Sequence, residues 1–292
     1  MKNSDGVIAH VADTAHWVAV YRAMETERPD AIFRDPFARR LAGPDGEAIV
    51  DRMPQGRQMA WAMVVRTAIL DEIIVEKIAR DGVDLVVNLA AGLDARPWRL
   101  ALPATLRWVD VDFPGMIAYK TGVLRDERPR CRYEAVSADL SDESSRPALF
   151  TRITAGAARV LIVSEGLLIY LSEAQVAALS RDLSALPGVR WWLMDLASPR
   201  MLAWMNGSWA RQMTEESEGR ARFQFAPAAG TGFFAEHGSW EEERYVSAMA
   251  ASRRLKREMR FAWFWRLVIL LYPARVRKKF ERFSGYALLA RP

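Results

Sequence analysis

The sequence predicts an α/β fold in which helices cover both faces of a mostly parallel sheet. Short β-branched runs alternate with stretches of helical periodicity through residues 84–197, the pattern of parallel strands joined by crossover helices. The first run, within "VVNLAAGLDARPWRL" (86–100), breaks abruptly at a glycine. The chain has 292 residues, of which 51% are hydrophobic and 26% charged, so it can bury a full core.

The N-terminal part is predicted to be helical over residues 7–28 and 59–80, where apolar residues recur at helical spacing. Strands are predicted at 84–91, 106–113, 131–140, 158–168, 189–197, 243–249 and 285–291. Between them, helices are expected at 114–124 and 172–185. Ser172 begins the second of these with a capping box, because its hydroxyl can accept the backbone N–H of Gln175.

This order predicts a single domain of seven strands over residues 1–292. Residues 1–83 would form an N-terminal helical cap, and residues 84–197 the ligand-binding core. Residues 198–292 would contribute the last two strands, together with insertions or a lid at 198–240 and 250–283.

Composition limits the setting in which the chain works. Cys131 is the single cysteine, so no internal disulfide can form, which fits a reducing cytoplasm. The first 17 residues show no basic segment followed by an apolar run, as a signal peptide would. No apolar stretch reaches the roughly 18 residues of a membrane span. We therefore expect a cytoplasmic protein.

The positive charge is concentrated near the C-terminus. Residues 250–283 hold 11 Lys and Arg and two Glu, a net +9, whereas the whole chain is +5 and the remainder therefore −4. Nucleic-acid binding would favour basic residues spread over one face, so no nucleic-acid partner is expected. The oligomeric state is not indicated by the sequence.

The turn after the first strand suggests which ligand the sheet holds. Ligands of doubly wound sheets bind at the carboxyl ends of the strands, and Gly92 allows close approach of the backbone. A dinucleotide motif would need more glycines, and Asp94 would repel a pyrophosphate. Asp112 follows Gly92 by 20 residues, the spacing at which a carboxylate meets ribose hydroxyls. The alternative is that Asp112 caps the next turn.

Two further strand ends carry acids. Asp139, after the third strand, could accept from an adenine amino group, and Leu140 could donate its backbone N–H to a ring nitrogen. Glu165, after the fourth, could meet an ammonium group. A ligand with a ribose, a cationic part and no phosphate fits these positions, and S-adenosyl-L-methionine has those properties. Each acid alone could equally be a solvated turn residue.

At this point the sequence resembles the leucine carboxyl methyltransferase family, which includes bacterial polyketide O-methyltransferases. The resemblance spans about residues 10–195 and returns weakly at "GFFAEHGSW" and "GYALLARP". The motifs that carry it are "YRAMETERPDAIFRDPFARRL", "VVRTAILDEII", "VVNLAAGLDARPWRL", "WVDVDFPGMIAYK", "VSADLSD" and "SEGLLIYLSEAQVAAL". It implies a class I, Rossmann-like methyltransferase fold that uses S-adenosyl-L-methionine.

The resemblance also implies roles for individual residues. Arg66, in "VVRTA", would hold the cofactor's carboxylate, with Arg22 as a helper; otherwise Arg66 is a surface arginine. Asp112 would hold the ribose, Asp139 and Leu140 the adenine, and Glu165 the methionyl end. One position departs from the family pattern of Leu-Gly-Ala-Gly. Ala90 replaces its first glycine, which would cost about 1 kcal/mol if φ must be positive there.

The expected acceptor is the carboxylate of a small or polyketide-like acid, which is ionised at neutral pH and needs no general base. No residue pattern indicates a metal site. Tyr170 could line the acceptor pocket or be a buried structural tyrosine. If the acceptor were a hydroxyl, His237 would be the candidate base; otherwise it is a helix-end residue. A protein C-terminal carboxylate, or a catalytically degenerate cofactor-binding protein, remain further alternatives.

The segment "RRLKREMRFAWFWRLVILLYPARVRKKFERF" places aromatic residues between two basic clusters. It predicts either a helix packed on the core with solvated ends or a lid over a hydrophobic acid. Contact of residues 253–282 with an anionic membrane surface is the third alternative, because basic ends around an aromatic centre are typical of interfacial helices.

Overall fold

The computed structural model describes residues 13–52, 56–209 and 223–291. Its strands are β1 (Leu85–Leu89), β2 (Arg107–Asp112), β3 (Arg132–Ser137), β4 (Val160–Ser164), β5 (Val189–Ala197), β6 (Glu241–Ser247) and β7 (Ser284–Ala290). They form one sheet in the order β3-β2-β1-β4-β5-β7-β6. β1 to β5 are parallel, and β7 runs antiparallel to both β5 and β6. The predicted α/β fold with a seven-stranded, mostly parallel sheet is confirmed.

Helices cover this sheet. Before β1 they are α1 (Asp13–Thr26), α2 (Ala38–Arg52) and α3 (Ala60–Asp81), with a 3-10 turn at Gly56–Met59. Between β1 and β5 they are α4 (Arg96–Arg99), α5 (Pro114–Val123), α6 (Arg146–Thr154) and α7 (Glu173–Ser184), with a 3-10 turn at Leu168–Tyr170. After β5 they are α8 (Pro199–Trp204), a π-helical turn (Met205–Trp209), α9 (Gly232–Gly238), α10 (Ala248–Arg254), α11 (Ala262–Leu270) and α12 (Ala274–Glu281).

The sheet is buried on both faces, because successive side chains of a strand point to opposite sides. Leu85, Val87 and Leu89 of β1 pack in one apolar cluster with residues of α6, α7 and α9. Val86 packs in a second cluster with residues of α3 and α10. A third cluster joins α1, α2 and α5. The central strand is therefore apolar except for Asn88 near its end, and most functional groups lie at the strand ends.

Most predicted elements agree with the structure within a few residues. The helix predicted at 59–80 is α3, and the capping box of Ser172 and Gln175 is present at the start of α7. Of the helix predicted at 7–28, residues 7–12 lie outside the described part of the chain.

Three details of the predicted elements differ. The sixth strand begins and ends two residues earlier than predicted, at Glu241–Ser247, because the chain turns into α10 at Ala248. Helices α2 and α6 were not predicted. α2 bends at Gly43, whose φ is 61°, and contains Pro44, and these two residues interrupt the helical pattern in the sequence.

Candidate functional site

A cavity of about 840 Å³ opens at the carboxyl ends of the parallel strands. It lies at the ends of β1 and β4, where the strand order reverses and where ligands of open α/β sheets bind. Its volume is within the range of about 300–1,000 Å³ typical of small-molecule sites. The cavity is lined by nine of the predicted site residues: Arg22, Arg66, Ala90, Gly92, Asp112, Asp139, Leu140, Glu165 and Tyr170.

The turn after β1 contains two residues in the left-handed region. Ala90 has a φ of 52° and Gly92 a φ of 49°. A Cβ atom on Gly92 would lie 3.2 Å from the Cβ of Ala15, so glycine is needed there for both conformation and space. Ala90 meets the condition set in the sequence analysis, because an L-residue with a side chain is strained at this φ.

Asp112 joins this turn to the end of β2. Its carboxylate accepts hydrogen bonds from the backbone N–H of Gly92 at 2.6 Å and of Phe113 at 2.7 Å. Burial raises the pKa of Asp112, and the two N–H groups oppose that shift. The carboxylate is thus held in a fixed orientation at the wall of the cavity.

Asp110, the other acid of β2, has a different environment. It is fully buried and pairs with Nζ of Lys120 at 2.6 Å. It also accepts from the hydroxyl of Tyr133 and from Nε1 of Trp108. Asp110 is therefore structural, and of the two acids only Asp112 lines the cavity.

The end of β3 contributes Asp139 and Leu140. Asp139 is exposed, and its Oδ1 accepts from the backbone N–H and the hydroxyl of Ser141. Leu140 is buried, and its carbonyl accepts from Nη1 of Arg146 at 3.0 Å. Both residues lie at the cavity, and their assignment to adenine stays a prediction.

Arg66, Arg96 and Arg99 form a buried network with the acids at the base of the cavity. Nε of Arg66 lies 2.9 Å from Oε1 of Glu165, and Nη1 of Arg96 lies 2.8 Å from its Oε2. The remaining ion pairs are Arg66–Asp195, Arg96–Asp71, Arg96–Asp94, Arg99–Asp71, Arg99–Asp35 and Arg22–Asp35. These five carboxylates and four guanidinium groups leave one negative charge, which favours the cationic part of a ligand.

The network sets the ionisation of its acids. Burial disfavours the charged form of Glu165, but Arg96 and Arg66 hold its pKa below the usual range. The pKa of Asp94 is likewise lowered by Arg96 against the effect of burial. Because Arg96 and Asn88 both bond to Oδ2 of Asp94, the charge that we expected to repel a pyrophosphate is neutralised within the protein.

Glycine also permits the approach of Arg66 to the end of β4. Gly166 has a φ of 68°, and a Cβ there would lie 3.2 Å from Nη1 of Arg66. The backbone N–H of Gly166 donates to Oδ1 of Asp195 at 2.7 Å. Asp195 lies within β5, two residues before its last residue, Ala197, so a search for acids that follow the strands would not have found it.

Arg22 lies at the rim of this network. Its Nε donates to Asp35 at 2.9 Å, and its Nη2 donates to the carbonyl of Leu93. Arg22 therefore fixes the turn after β1. Its Nε and Nη2 are already bonded to acceptors within the protein.

The opposite side of the cavity is apolar. Its lining includes Met63, Phe225, Trp265 and Ile269. Tyr170 stands among them, with its ring 5.4 Å from that of Phe223. Burial raises the pKa of Tyr170 to about 12, so its phenol stays protonated at neutral pH and can donate a hydrogen bond.

His237 lies apart from these residues. It occupies the last turn of α9, where its ring packs 4.4 Å from that of Phe233. It is not among the described residues that line the cavity. The structure therefore does not bring His237 to the place where a base for a hydroxyl acceptor would be needed, and it is the helix-end residue of the alternative interpretation.

The described residues form neither a metal site nor a membrane-spanning helix. No group of three or more His, Cys, Asp or Glu residues within them is arranged to hold a metal ion. Among the helices of the same residues, none combines the length and the apolar character that crossing a bilayer requires.

Comparison with known proteins identifies the chain's relatives. Residues 15–184 match the family model "Leucine carboxyl methyltransferase". The chain is 38% identical over 179 residues to a candidate S-adenosyl-L-methionine-dependent methyltransferase of Streptomyces coelicolor, covering 57% of this chain and 62% of that protein. It is 35% identical over 213 residues to one of Mycolicibacterium smegmatis, covering 65% and 70%. The chain thus spans somewhat less than two thirds of the Streptomyces relative.

Solved structures share the fold. A DUF574 family protein of Streptomyces avermitilis superposes with a TM-score of 0.59 at 15% identity, covering 94% of this chain and 97% of that one. A candidate methyltransferase of Thermobifida fusca gives a TM-score of 0.55 at 13% identity, covering 98% and 96%. At these identities the similarity concerns the arrangement of the elements alone.

Proposed function

The chain belongs to the leucine carboxyl methyltransferase family, and from this premise we propose that it transfers a methyl group from S-adenosyl-L-methionine to an oxygen acceptor. The acceptor that the cavity favours is the carboxylate of a small or polyketide-like acid. The observation that carries the proposal is the convergence of Gly92, Asp112, Asp139 and Glu165, from four consecutive strand ends, on one cavity.

The residues at the cavity fit the proposed cofactor. Asp112 is held by two backbone N–H groups and keeps lone pairs that can accept from ribose hydroxyls. Asp139 and Leu140 would face the adenine. The net negative charge of the arginine network suits a sulfonium and an ammonium group, which is the end of the cofactor that Glu165 would meet.

Arg66 has a free donor for the cofactor's carboxylate. Its Nε and Nη1 are bonded to Glu165 and Asp195. Among the described residues, no acceptor is bonded to its Nη2. Two acids therefore fix the guanidinium plane and leave the N–H groups of Nη2 for an anionic group, with which they would form a charge-assisted hydrogen bond.

The same cavity favours a carboxylate acceptor. S-adenosyl-L-methionine supplies a methyl group that is already activated on sulfur, so the protein has to align the acceptor and exclude water. No histidine is among the described residues that line the cavity, and Tyr170 stays protonated. A hydroxyl acceptor would need a carboxylate of the cavity as its base, and Glu165 and Asp195 are already paired with arginines. An ionised carboxylate needs no base and can accept from the Tyr170 phenol.

Incorporation of labelled methyl from S-adenosyl-L-methionine into a panel of carboxylic acids, phenols and C-terminal peptides would test the proposal. We expect base-labile methyl esters of a hydrophobic acid, formed at a rate that changes little between about pH 6 and 8, above the ordinary carboxyl pKa. Transfer only to phenols, with a rate that falls as the pH drops, would contradict the carboxylate acceptor. Cofactor binding without transfer to any compound would identify a degenerate binding protein.

A further inference from the structure

Helix α11 (Ala262–Leu270) is apolar on both of its faces. On the inner face, Ala262 is buried, and Trp265 and Ile269 line the cavity, although Trp265 is itself 50% exposed. These positions are three and four residues apart, so they share one side of the helix. On the outer face, Trp263, Phe264 and Leu267 are about half exposed. Arg266 is the one charged residue of α11. A helix that is otherwise apolar on most of its sides is normally covered, yet the outer face of α11 meets solvent.

The exposed side chains extend beyond the helix into a continuous segment, which we call the apolar surface. It consists of Phe261, Trp263, Phe264, Leu267, Leu270, Leu271 and Tyr272, with exposed fractions from 46% to 86%. Single exposed apolar residues are ordinary, but a cluster of this kind marks an interaction site. The nine residues of α11 would extend only about 14 Å, so the helix cannot cross a bilayer of about 30 Å.

Basic residues flank the apolar surface on both sides. Arg253, Lys256 and Arg260 precede it and are exposed. Arg275 follows it and is also exposed. The segment from 250 to 283 carries a net charge of +9 in a chain of +5. The partner that complements both features presents apolar material beneath a layer of negative charge, as the surface of an anionic bilayer does.

We propose that the apolar surface docks on an anionic lipid bilayer, with α11 lying in the plane of the interface and its basic flanks against the headgroups. A second copy of the chain is a poorer partner, because an isologous contact would bring two basic rims together. Docking also brings α11, whose inner residues Trp265 and Ile269 line the cavity, to the bilayer surface. An acceptor acid could then enter from the bilayer, a consequence that rests on the proposed function, whereas docking itself does not.

Vesicle sedimentation with the full chain tests the docking directly and requires no methyl transfer. We expect the chain to bind vesicles of phosphatidylcholine mixed with phosphatidylglycerol, to bind vesicles of phosphatidylcholine alone far more weakly, and to dissociate as salt is added. Absence of binding to the mixed vesicles at low salt would overturn the proposal, while the methyltransferase assay in solution would remain free to succeed or fail.

Variants separate the apolar and the electrostatic contributions. Trp263→Ala combined with Leu271→Ala should weaken binding to mixed vesicles by at least about tenfold. The control is Val75→Ala, an exposed apolar residue of α3, which should bind as the unmodified chain does. Arg260→Gln combined with Arg275→Gln should weaken binding by about fivefold for each charge removed and should reduce its salt dependence. Equal binding by all of these variants would contradict the proposal.

Two further measurements distinguish lipid contact from a change in fold and from dimer formation. Trp263→Phe should keep vesicle affinity but lose part of the fluorescence quenching produced by brominated lipids, so contact is detected without disturbing the fold. Light scattering should show the same mass for the unmodified chain and the Trp263→Ala, Leu271→Ala variant. A dimer that becomes a monomer in that variant would show that a second copy covers the apolar surface, and would overturn the bilayer proposal.

Discussion

At the base of the cavity the carboxylates of Asp94 and Glu165 are paired with arginines. In α11, which contributes to the apolar side of the cavity, the outer side chains are instead about half exposed. The two regions also differ in their relatives. The family model matches residues 15–184, which include the ends of β1 to β4 and the arginine network except Asp195, but not α11. Most of the base of the cavity thus lies in the part of the chain that matches its family, whereas α11 lies outside that part.

The largest loss of stability should follow from disrupting the arginine network at the base of the cavity. Arg96→Met removes the guanidinium shared by Asp71, Asp94 and Glu165 and leaves buried carboxylates without a partner. We expect the free energy of unfolding to fall by about 3–5 kcal/mol, measured by urea denaturation. The matched control is Arg254→Met, which breaks an exposed pair with Glu72 and should cost less than about 1 kcal/mol. Similar losses in the two variants would contradict the distinction between the regions.

Replacing an exposed tryptophan of α11 should lower the free energy of unfolding far less than replacing a buried tryptophan of the sheet. Trp192 is fully buried and Trp263 is 57% exposed. Trp192→Ala should lower the free energy of unfolding by about 3–5 kcal/mol, and Trp263→Ala should change it by less than about 0.5 kcal/mol. Thermal or urea unfolding would measure both. A large loss in Trp263→Ala would mean that the outer face of α11 is packed in solution.

A fall in pH should weaken the arginine network at the base of the cavity. The pKa of Glu165 is lowered from 4.5, because Arg96 and Arg66 outweigh the effect of burial. A lowered carboxyl pKa contributes stability that is complete above the unfolded value and is lost as the pH falls through the folded value. We therefore expect the free energy of unfolding to decline below about pH 4.5, and Glu165→Gln to decline less steeply over the same range. A decline of equal slope in both proteins would show that other groups control it.

A smaller effect is expected at the first turn. Ala90→Gly removes an alanine from a φ of 52° and should raise the free energy of unfolding by about 1 kcal/mol. Ala91→Gly, at the next residue and without a positive φ, should instead lower it by about 0.5–1 kcal/mol. Urea unfolding of the two variants decides the matter, since a loss in both would mean that Ala90 is not strained.

The sequence predicted the sheet and the positions of its acids for a local reason. Short β-branched apolar runs reveal buried strands, and the residues at their carboxyl ends must lie at one edge of a parallel sheet. Asp112 and Glu165 were found in that way. The network around Arg96 was not, because its pairing with Asp71 joins residues 25 positions apart through the packing of α3 against the strand ends. The solvent exposure of α11 could not be predicted from the sequence either, because an apolar run looks the same whether a protein core or a membrane covers it.

The central claim is that the strand ends bind S-adenosyl-L-methionine, and calorimetric titration of the full chain with that molecule tests it most directly. We expect binding at one site, weakened at least about tenfold by Asp112→Asn. Asp142→Asn, an exposed acid after β3 that is not among the described lining residues, should leave the affinity unchanged. Absence of binding, or equal affinity in the two variants, would contradict the account.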